Sequence, residues 1–429
     1  MTDPAHMRPK AKGRVLVLGA DGFIGRHIAF RLRAEGWQVL AHARRPKRLI
    51  EMGFETLACD LAAPHASDPA FWKPHVHGLS HMVNAAGVLN ANPKIGQAVH
   101  VSAPAALALA LPAGTPSVLL SAVGIDNAET AFARLRLAGE AVARDAGQTI
   151  LRAGLVLADT SYGGSSLARA LAVLPWRIPV VGDGQQCFNP VHADDLAAQI
   201  IACLHKPRPG QTLETGGPET LTQAEMLAAI RGWIGLPPAR PLALPIPLAQ
   251  ALGRLGDLMR LGPISATSVA QLQSGVMARP SDVLPAARPF SAFVQNRPAG
   301  TQDLWHARSY LMRPLIRLVL AILWLVSGLI GLFVAPGAFL PMLPDHLPEA
   351  PFVALARLMG GMDLVIAALL LGGWRPRLLT GIQAAIVAGY TAGFTLLAPG
   401  LWLLPMGGLL KNLPILALIA MMAILEDER

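Results

Sequence analysis

Gly19, Gly22 and Gly25 follow an apolar run, Arg14-Val-Leu-Val-Leu18, and precede a helical stretch that ends near Gly36. A strand, a glycine turn and a helix in this order aim the unpaired N–H groups of a helix N-terminus at a pyrophosphate. Gly19 permits the tight turn. Gly22 lets a phosphate approach the backbone, and Gly25 lets the helix lie close to the strand. Asp21, Phe23 and Ile24 complete the candidate binding loop. A purely structural βα turn would use the same glycines. The strands that follow argue for a nucleotide.

The second predicted strand, Trp37–Ala41, leads into His42-Ala-Arg44-Arg45-Pro46, with Lys47 and Arg48 behind. In dinucleotide folds a carboxylate near this place takes the ribose hydroxyls, whereas arginine accommodates a 2′-phosphate. Arg44 and Arg45 therefore predict NADP(H) rather than NAD(H). A third strand, Phe54–Ala58, ends at Cys59-Asp60-Leu61, placing Asp60 to meet an adenine amino group or to cap a turn. A fourth ends at Asn84-Ala85-Ala86-Gly87, where small residues leave room for a cofactor. A fifth, Ser117–Leu120, ends at Ser121. Successive βα units imply a Rossmann-type, doubly wound parallel α/β sheet, followed by a small C-terminal lobe.

Those elements occupy only part of the chain. Hydrophobic residues make up 53% and charged residues 15%, against about 25% charged in an ordinary soluble domain. Disorder is excluded. Cys59, Cys187 and Cys203 are far apart, which excludes a disulfide framework and a thiolate zinc site, and no metal is expected. The net charge of +9 is carried by scattered arginines without a basic-aromatic motif, so no nucleic-acid partner is expected.

The apolar excess begins at Leu311. Leu318–Val334, Phe352–Gly373, Leu378–Leu397 and Pro405–Leu425 are four runs close to the roughly 20 residues that span a bilayer. Arg308, Arg313 and Arg317 precede the first, Arg375 and Arg377 separate the second from the third, and Arg429 follows the fourth. The positive-inside rule then places both termini and the Arg375 turn in the cytoplasm, as in a multi-pass inner-membrane protein. Arg357, Asp363 and Lys411 fall inside the runs, and the expectation is that Asp363 pairs with Lys411 or Arg357. The domain reading is a tail over 1–12, a nucleotide-binding domain over 13–285, a linker over 286–310 and a four-helix membrane domain over 311–429. Within the second, Pro241–Leu261 has amphipathic helical periodicity: a core or lid helix, or one lying on a membrane.

GADGFIG, Asp60-Leu61, NAAG and the strand-end Ser121 together resemble the short-chain dehydrogenase/reductase superfamily. Leu151-Arg152-Ala-Gly154 and Asn189-Pro190-Val-His192-Ala-Asp194-Asp195 are similar to segments of its extended or atypical NAD(P)-binding branch, which includes the accessory subunit of respiratory complex I. Residues 311–429, with Lys411-Asn-Leu-Pro414, resemble DoxX-like membrane domains. The resemblance implies a nicotinamide dinucleotide, oxidoreductase chemistry, and a Tyr-x-x-x-Lys pair acting with a serine. Here Ser121 matches the serine, but the tyrosine position is Phe132 and the lysine position Arg136. Phenylalanine has no proton to give. Arginine stays charged and still contacts a ribose or phosphate, without being a like-for-like lysine. Tyr162 and His192 are the substitutes considered, each against a structural alternative, and Asp194 and Asp195 are read as helix caps. Two functions follow. One is an oxidoreductase acting on a lipophilic or quinone-like acceptor from the bilayer. The other is a non-catalytic module that holds NADPH for structure or sensing.

Overall fold

The computed structural model describes residues 12–89, 92–340, 348–404 and 407–426. The tail expected over 1–12, Lys12 excepted, and Pro405 at the start of the fourth apolar run lie outside them. The chain divides into two compact units, Met1–Gly253 with Gly262–Asp303, and Arg254–Leu261 with Leu304–Arg429.

In the first unit seven strands form one parallel sheet: β1 (Arg14–Leu18), β2 (Gln38–Ala43), β3 (Glu55–Ala58), β4 (His81–Asn84), β5 (Ser117–Ala122), β6 (Thr149–Ala153) and β7 (Thr212–Thr215). Their spatial order is β7-β6-β5-β4-β1-β2-β3. The order reverses between β1 and β4, and at such a switch point ligands bind beyond the carboxyl ends of the strands. Val15, Leu16, Val17 and Leu18 are fully buried, the unbroken apolar pattern of a strand covered on both faces. Val15, Val17, Ile28, Leu32 and Ile200 pack on one face, and Leu16, Leu18, Trp72, Met82 and Leu107 on the other. The helices that position the site are α1 (Phe23–Ala34), α2 (Ala131–Asp145) and α3 (Ala193–His205).

The smaller lobe is made of short strand pairs, Arg177–Val181 with Arg240–Leu244 and Cys187–Phe188 with Leu221–Thr222, around Ile178, Phe188, Leu227 and Phe290. Phe290 belongs to the stretch read as a linker. That reading is corrected: 286–310 carries helices Phe290–Asn296 and Thr301–Tyr310. Asp303 is buried there between Arg297, 2.7 Å away, and Arg169, 3.3 Å away. Single apolar anchors and a buried ion pair order this segment without the periodicity that marks an amphipathic helix.

A second buried pair ties α2 to β6. Glu140 accepts two bonds from Arg152, at 2.8 and 2.7 Å, and its side chain is 2% exposed. Breaking a buried pair leaves an uncompensated charge and typically costs about 3–5 kcal/mol. Asp126 also binds Arg152, which softens the loss. Glu140→Leu is therefore expected to destabilise the first unit by about 3 kcal/mol, measured as a fall in its unfolding midpoint.

The second unit contains α4 (Met312–Phe333), α5 (Glu349–Leu371), α6 (Pro376–Leu397) and α7 (Asn412–Leu425). Among the described residues three helices, Thr301–Phe333, Glu349–Leu371 and Pro376–Leu397, are long and apolar enough to cross a membrane. The fourth apolar helix, Leu409–Leu425, is shorter, at the lower end of spanning length. Arg317, near the start of α4, lies 2.5 Å from Glu426 at the end of α7, and its Nη1 sits 3.3 Å from where a Cβ on Gly373, between α5 and α6, would stand. One end of the bundle thus gathers the start of α4, the α5–α6 turn and the end of α7. The expected intramembrane ion pair is not formed. Asp363 accepts from Ser327 at 2.7 Å, and Arg357 donates to the Gly331 and Val334 carbonyls. Arg357 satisfies itself on backbone exposed where α4 ends, and Asp363 meets the neighbouring helix through a hydroxyl.

Candidate functional site

The glycine turn is shaped by close approach. Gly19 has φ +72°, and a Cβ on it would stand 2.8 Å from the Ala86 Cα. A Cβ on Gly25 would stand 2.0 Å from the Gly19 carbonyl oxygen, and one on Gly22 3.2 Å from the same atom. The loop therefore folds under the first turn of α1, which has no acidic residue, leaving its N–H groups and positive end open to an anion. Asp21 is exposed, Phe23 and Ile24 are half-buried in that turn, and Ala85, Ala86 and Gly87 run beside Gly19. Asn84 holds the second loop by accepting the Ala86 N–H at 3.1 Å.

His42, at the end of β2, fixes the two loops' neighbour. Its Nδ1 accepts the Gly19 N–H at 3.3 Å, and its carbonyl accepts the Ala20 N–H at 3.0 Å. Nε2 must then carry the proton, and it is buried without a partner. Burial pushes the ring's pKa down to about 4. Arg44 and Arg45 follow β2 and are exposed. Asp60 and Leu61 follow β3; the Asp60 carboxylate accepts the Ala62 N–H at 3.0 Å, the turn-capping role weighed for it, and remains exposed. A residue the sequence reading missed, Arg26 in the first turn of α1, is half-buried. Burial first, then Arg48, hold its pKa below the ordinary guanidinium value, while Asp21 and Tyr162 oppose them. Arg26, a cation in the first turn of α1, adds to the positive end of that helix and favours an anion there. Only the GFIGR run, with an arginine one place past the last glycine, signalled it.

At the other end of the site, Ser121 lies in β5, one residue before its end. Its hydroxyl is buried and has no hydrogen-bond partner. Phe132 and Arg136 lie on α2 as expected, but Arg136 is committed to the protein. It donates to the Leu120 carbonyl, to the Ala86 carbonyl at 3.5 Å and to His100 Nδ1 at 3.3 Å. Burial pushes its pKa down to about 10, so it is cationic at neutral pH. His100 was absent from the sequence reading. Arginine can only donate, so His100 Nδ1 must be bare and Nε2 protonated, donating to the Val88 carbonyl at 3.0 Å. Burial, then Arg136, push the His100 pKa down to about 4. Phe132 meets the same imidazole edge-on at 5.9 Å. Where the superfamily pattern has a phenol and an amine, this chain has a phenyl ring, a guanidinium and a neutral imidazole.

Tyr162 stands elsewhere. It is exposed and within electrostatic reach of Arg26, on a loop whose Thr160 meets His27 of α1 at 3.4 Å. His192 is engaged by the protein: its Nδ1 accepts the Asp194 N–H at 3.2 Å and an Arg288 N–H at 2.8 Å. It, not Asp194 or Asp195, is the cap of α3. The aspartates instead bind His27 at 2.9 Å and Arg288 at 3.0 Å. Among the described residues no cluster of His, Cys, Asp and Glu has metal-binding geometry.

Residues 15–113 match the NAD dependent epimerase/dehydratase family, and residues 321–420 match the DoxX-like family. The chain is 28% identical over 263 residues to a ceramide reductase of Caulobacter vibrioides, covering 58% of this chain and 80% of that protein. It is 36% identical over 88 residues to NADH dehydrogenase [ubiquinone] 1 alpha subcomplex subunit 9 of Arabidopsis thaliana mitochondria, but this covers 19% of the chain and 21% of that subunit. Its fold is that of the crystal structure of gox2253, at 20% identity and TM-score 0.52, over 69% of this chain and 99% of that one. The Gly19, Gly22 and Gly25 cradle, the open α1 terminus and the unpartnered Ser121 hydroxyl fit a nicotinamide dinucleotide. The chain thus carries an N-terminal segment similar to the NAD dependent epimerase/dehydratase family, on a seven-stranded parallel sheet, and a C-terminal segment similar to the DoxX-like family.

Proposed function

We propose that this protein is an NADP(H)-dependent oxidoreductase, anchored in the inner membrane, that reduces a lipophilic or quinone-like acceptor without the usual Tyr/Lys pair. The observation that carries this reading is Ser121. A buried hydroxyl with no protein partner, at the carboxyl end of β5, is a costly feature unless a ligand oxygen completes it. When bound, the nicotinamide supplies hydride. The chain's own part is to grip the pyrophosphate on α1, to set Arg44 and Arg45 against a 2′-phosphate, and to hold an acceptor oxygen on Ser121 Oγ. Phe132 gives no proton, so the acceptor is one whose reduced oxygen takes its proton from water or through the serine. Similarity to a ceramide reductase supports a lipophilic substrate. The basic residues grouped at one end of the bundle support a cytoplasmic N-terminal domain and C-terminus.

Ser121→Ala is expected to lower turnover of NADPH with such an acceptor about 100-fold, the effect of removing one donor to a developing oxyanion, with the Kd for NADPH unchanged. Equal loss of NADPH affinity would show the hydroxyl to be a cofactor contact instead.

A second reading, a non-catalytic NADPH-holding module, is favoured by Arg136. Its guanidinium fastens α2 to the β4 and β5 ends rather than standing open as a lysine would. NADPH that binds the purified full-length protein but is oxidised by no quinone or lipophilic carbonyl would establish it.

A further inference from the structure

The last residues of the helix Ile246–Leu258, from Arg254 on, belong to the second unit. Its sequence, IPLAQALGRLGDL, sorts into three faces at 100° per residue. Ala249, Gly253 and Gly256 form a buried face of small residues. Gln250, Arg254 and Asp257 form a polar face. Leu248, Leu252, Leu255 and Leu258 form a third face, and all four are exposed, Leu258 at 74%. Leaving four leucines on one side of a surface helix forfeits about 25 cal/mol for each Å² of apolar area left in water.

The end of this helix is held by residues of the second unit. Within the second unit, Arg317 of the first spanning helix donates to the Met259 carbonyl at 3.1 Å. That carbonyl and the Arg260 Cβ each lie 3.5 Å from where a Cβ on Gly373 would stand, in the turn joining α5 to α6. The last turn is thereby fastened to the end of the bundle that carries Arg313, Arg317, Arg375 and Arg377, the residue type that marks the headgroup level of a bilayer. A helix held at that level by its C-terminus, with a leucine face and a polar face, has the form of an interfacial element.

We infer that Ile246–Leu258 is a monotopic membrane helix, its Leu248–Leu252–Leu255–Leu258 face seated in the headgroup–acyl boundary of the bilayer that holds α4 to α6. The leucine face buries in lipid, the small-residue face packs on protein, and Gln250, Arg254 and Asp257 stay in water. This rests on the membrane unit and not on turnover by the first unit.

The test is lipid contact in the full chain in phosphatidylcholine/phosphatidylglycerol nanodiscs. In a Cys187→Ser background, where Cys59 and Cys203 remain buried, single cysteines at Leu252, Leu255 and Gln250 are labelled with an environment-sensitive fluorophore. Labels on Leu252→Cys and Leu255→Cys are expected to shift to the blue and to be quenched by shallow doxyl lipids, while that on Gln250→Cys is quenched by iodide. Equal iodide quenching at all three overturns the proposal. Wild-type protein guards against disturbed variants. A photoactivatable phosphatidylcholine with its reactive group near the headgroup should leave adducts on the 246–258 peptide. Adducts confined to the spans of the bundle also overturn it.

Discussion

Gly25→Ala is expected to weaken dinucleotide binding 30- to 100-fold and to lower the stability of the first unit. The added methyl would stand 2.0 Å from the Gly19 carbonyl oxygen and 2.8 Å from its carbon. Both are backbone atoms of the turn that a phosphate must approach, so no flexible side chain can yield. Overpacking of this kind typically costs about 1–3 kcal/mol, and each 1.4 kcal/mol is about tenfold in affinity. Gly164→Ala serves as the control, because a Cβ there meets nothing within 4 Å. Calorimetric titration of both variants checks the prediction; equal affinities would contradict the close approach of α1 to its glycine turn.

The second large effect is on pH. His42 and His100 have folded pKa values of about 4 against an ordinary 6.5, burial being the main cause in each. A depressed histidine pKa means that the unfolded chain takes up protons first as pH falls. Stability is therefore full above pH 6.5 and is lost between about 6.5 and 4. At about 1.36 kcal/mol per pKa unit, each ring accounts for a loss of about 3 kcal/mol. The Asp194 carboxylate, held below its ordinary range by its bond to His27, adds a loss only at lower pH. Both histidines bolt binding loops, one through the Gly19 N–H and the other through Val88. The unfolding midpoint of the first unit should fall steeply from pH 7.5 to pH 5. His100→Gln, which cannot titrate, should flatten that slope while lowering stability at pH 7.5. Identical midpoints at both pH values would contradict the buried neutral state.

How far the site could be read in advance depends on the sequence range of its contacts. The β1–turn–α1 unit was legible because an apolar run, three glycines and a helix are all local signals. The next strand differs at its boundary: β2 runs on to Ala43, so His42 lies within the strand rather than after it. Phe132 and Arg136 were placed on the helix after Ser121 through the resemblance to a Tyr-x-x-x-Lys pair, and both lie on α2. That Arg136 is tethered could not be read, because its partners, Ala86 and His100, lie 50 and 36 residues away. The same holds for Asp303, whose partner Arg169 is 134 residues back: that contact anchors the largely exposed helix Thr301–Tyr310 and leaves no local periodicity to read. For Asp363 charge alone suggested a cation. A neutral hydroxyl on Ser327 was already within reach, 36 residues earlier on the neighbouring span. Apolar length predicts four candidate spans; among the described residues three helices are long and apolar enough to cross a membrane, and the fourth, shorter, begins with a tight turn, Leu409–Lys411, that hydropathy does not register.

The central claim is that the dinucleotide held here carries a 2′-phosphate. Charged hydrogen bonds are worth about 1.5–3 kcal/mol each, so two guanidinium groups correspond to roughly 100-fold or more in affinity. Equilibrium titration of the purified full-length protein with NADPH and NADH, repeated on the Arg44→Ala/Arg45→Ala variant, tests it most directly. The wild type should prefer NADPH at least 100-fold, and the variant should bind both dinucleotides about equally with its NADH affinity retained. No affinity for NADPH, or a preference that survives the double substitution, would contradict it.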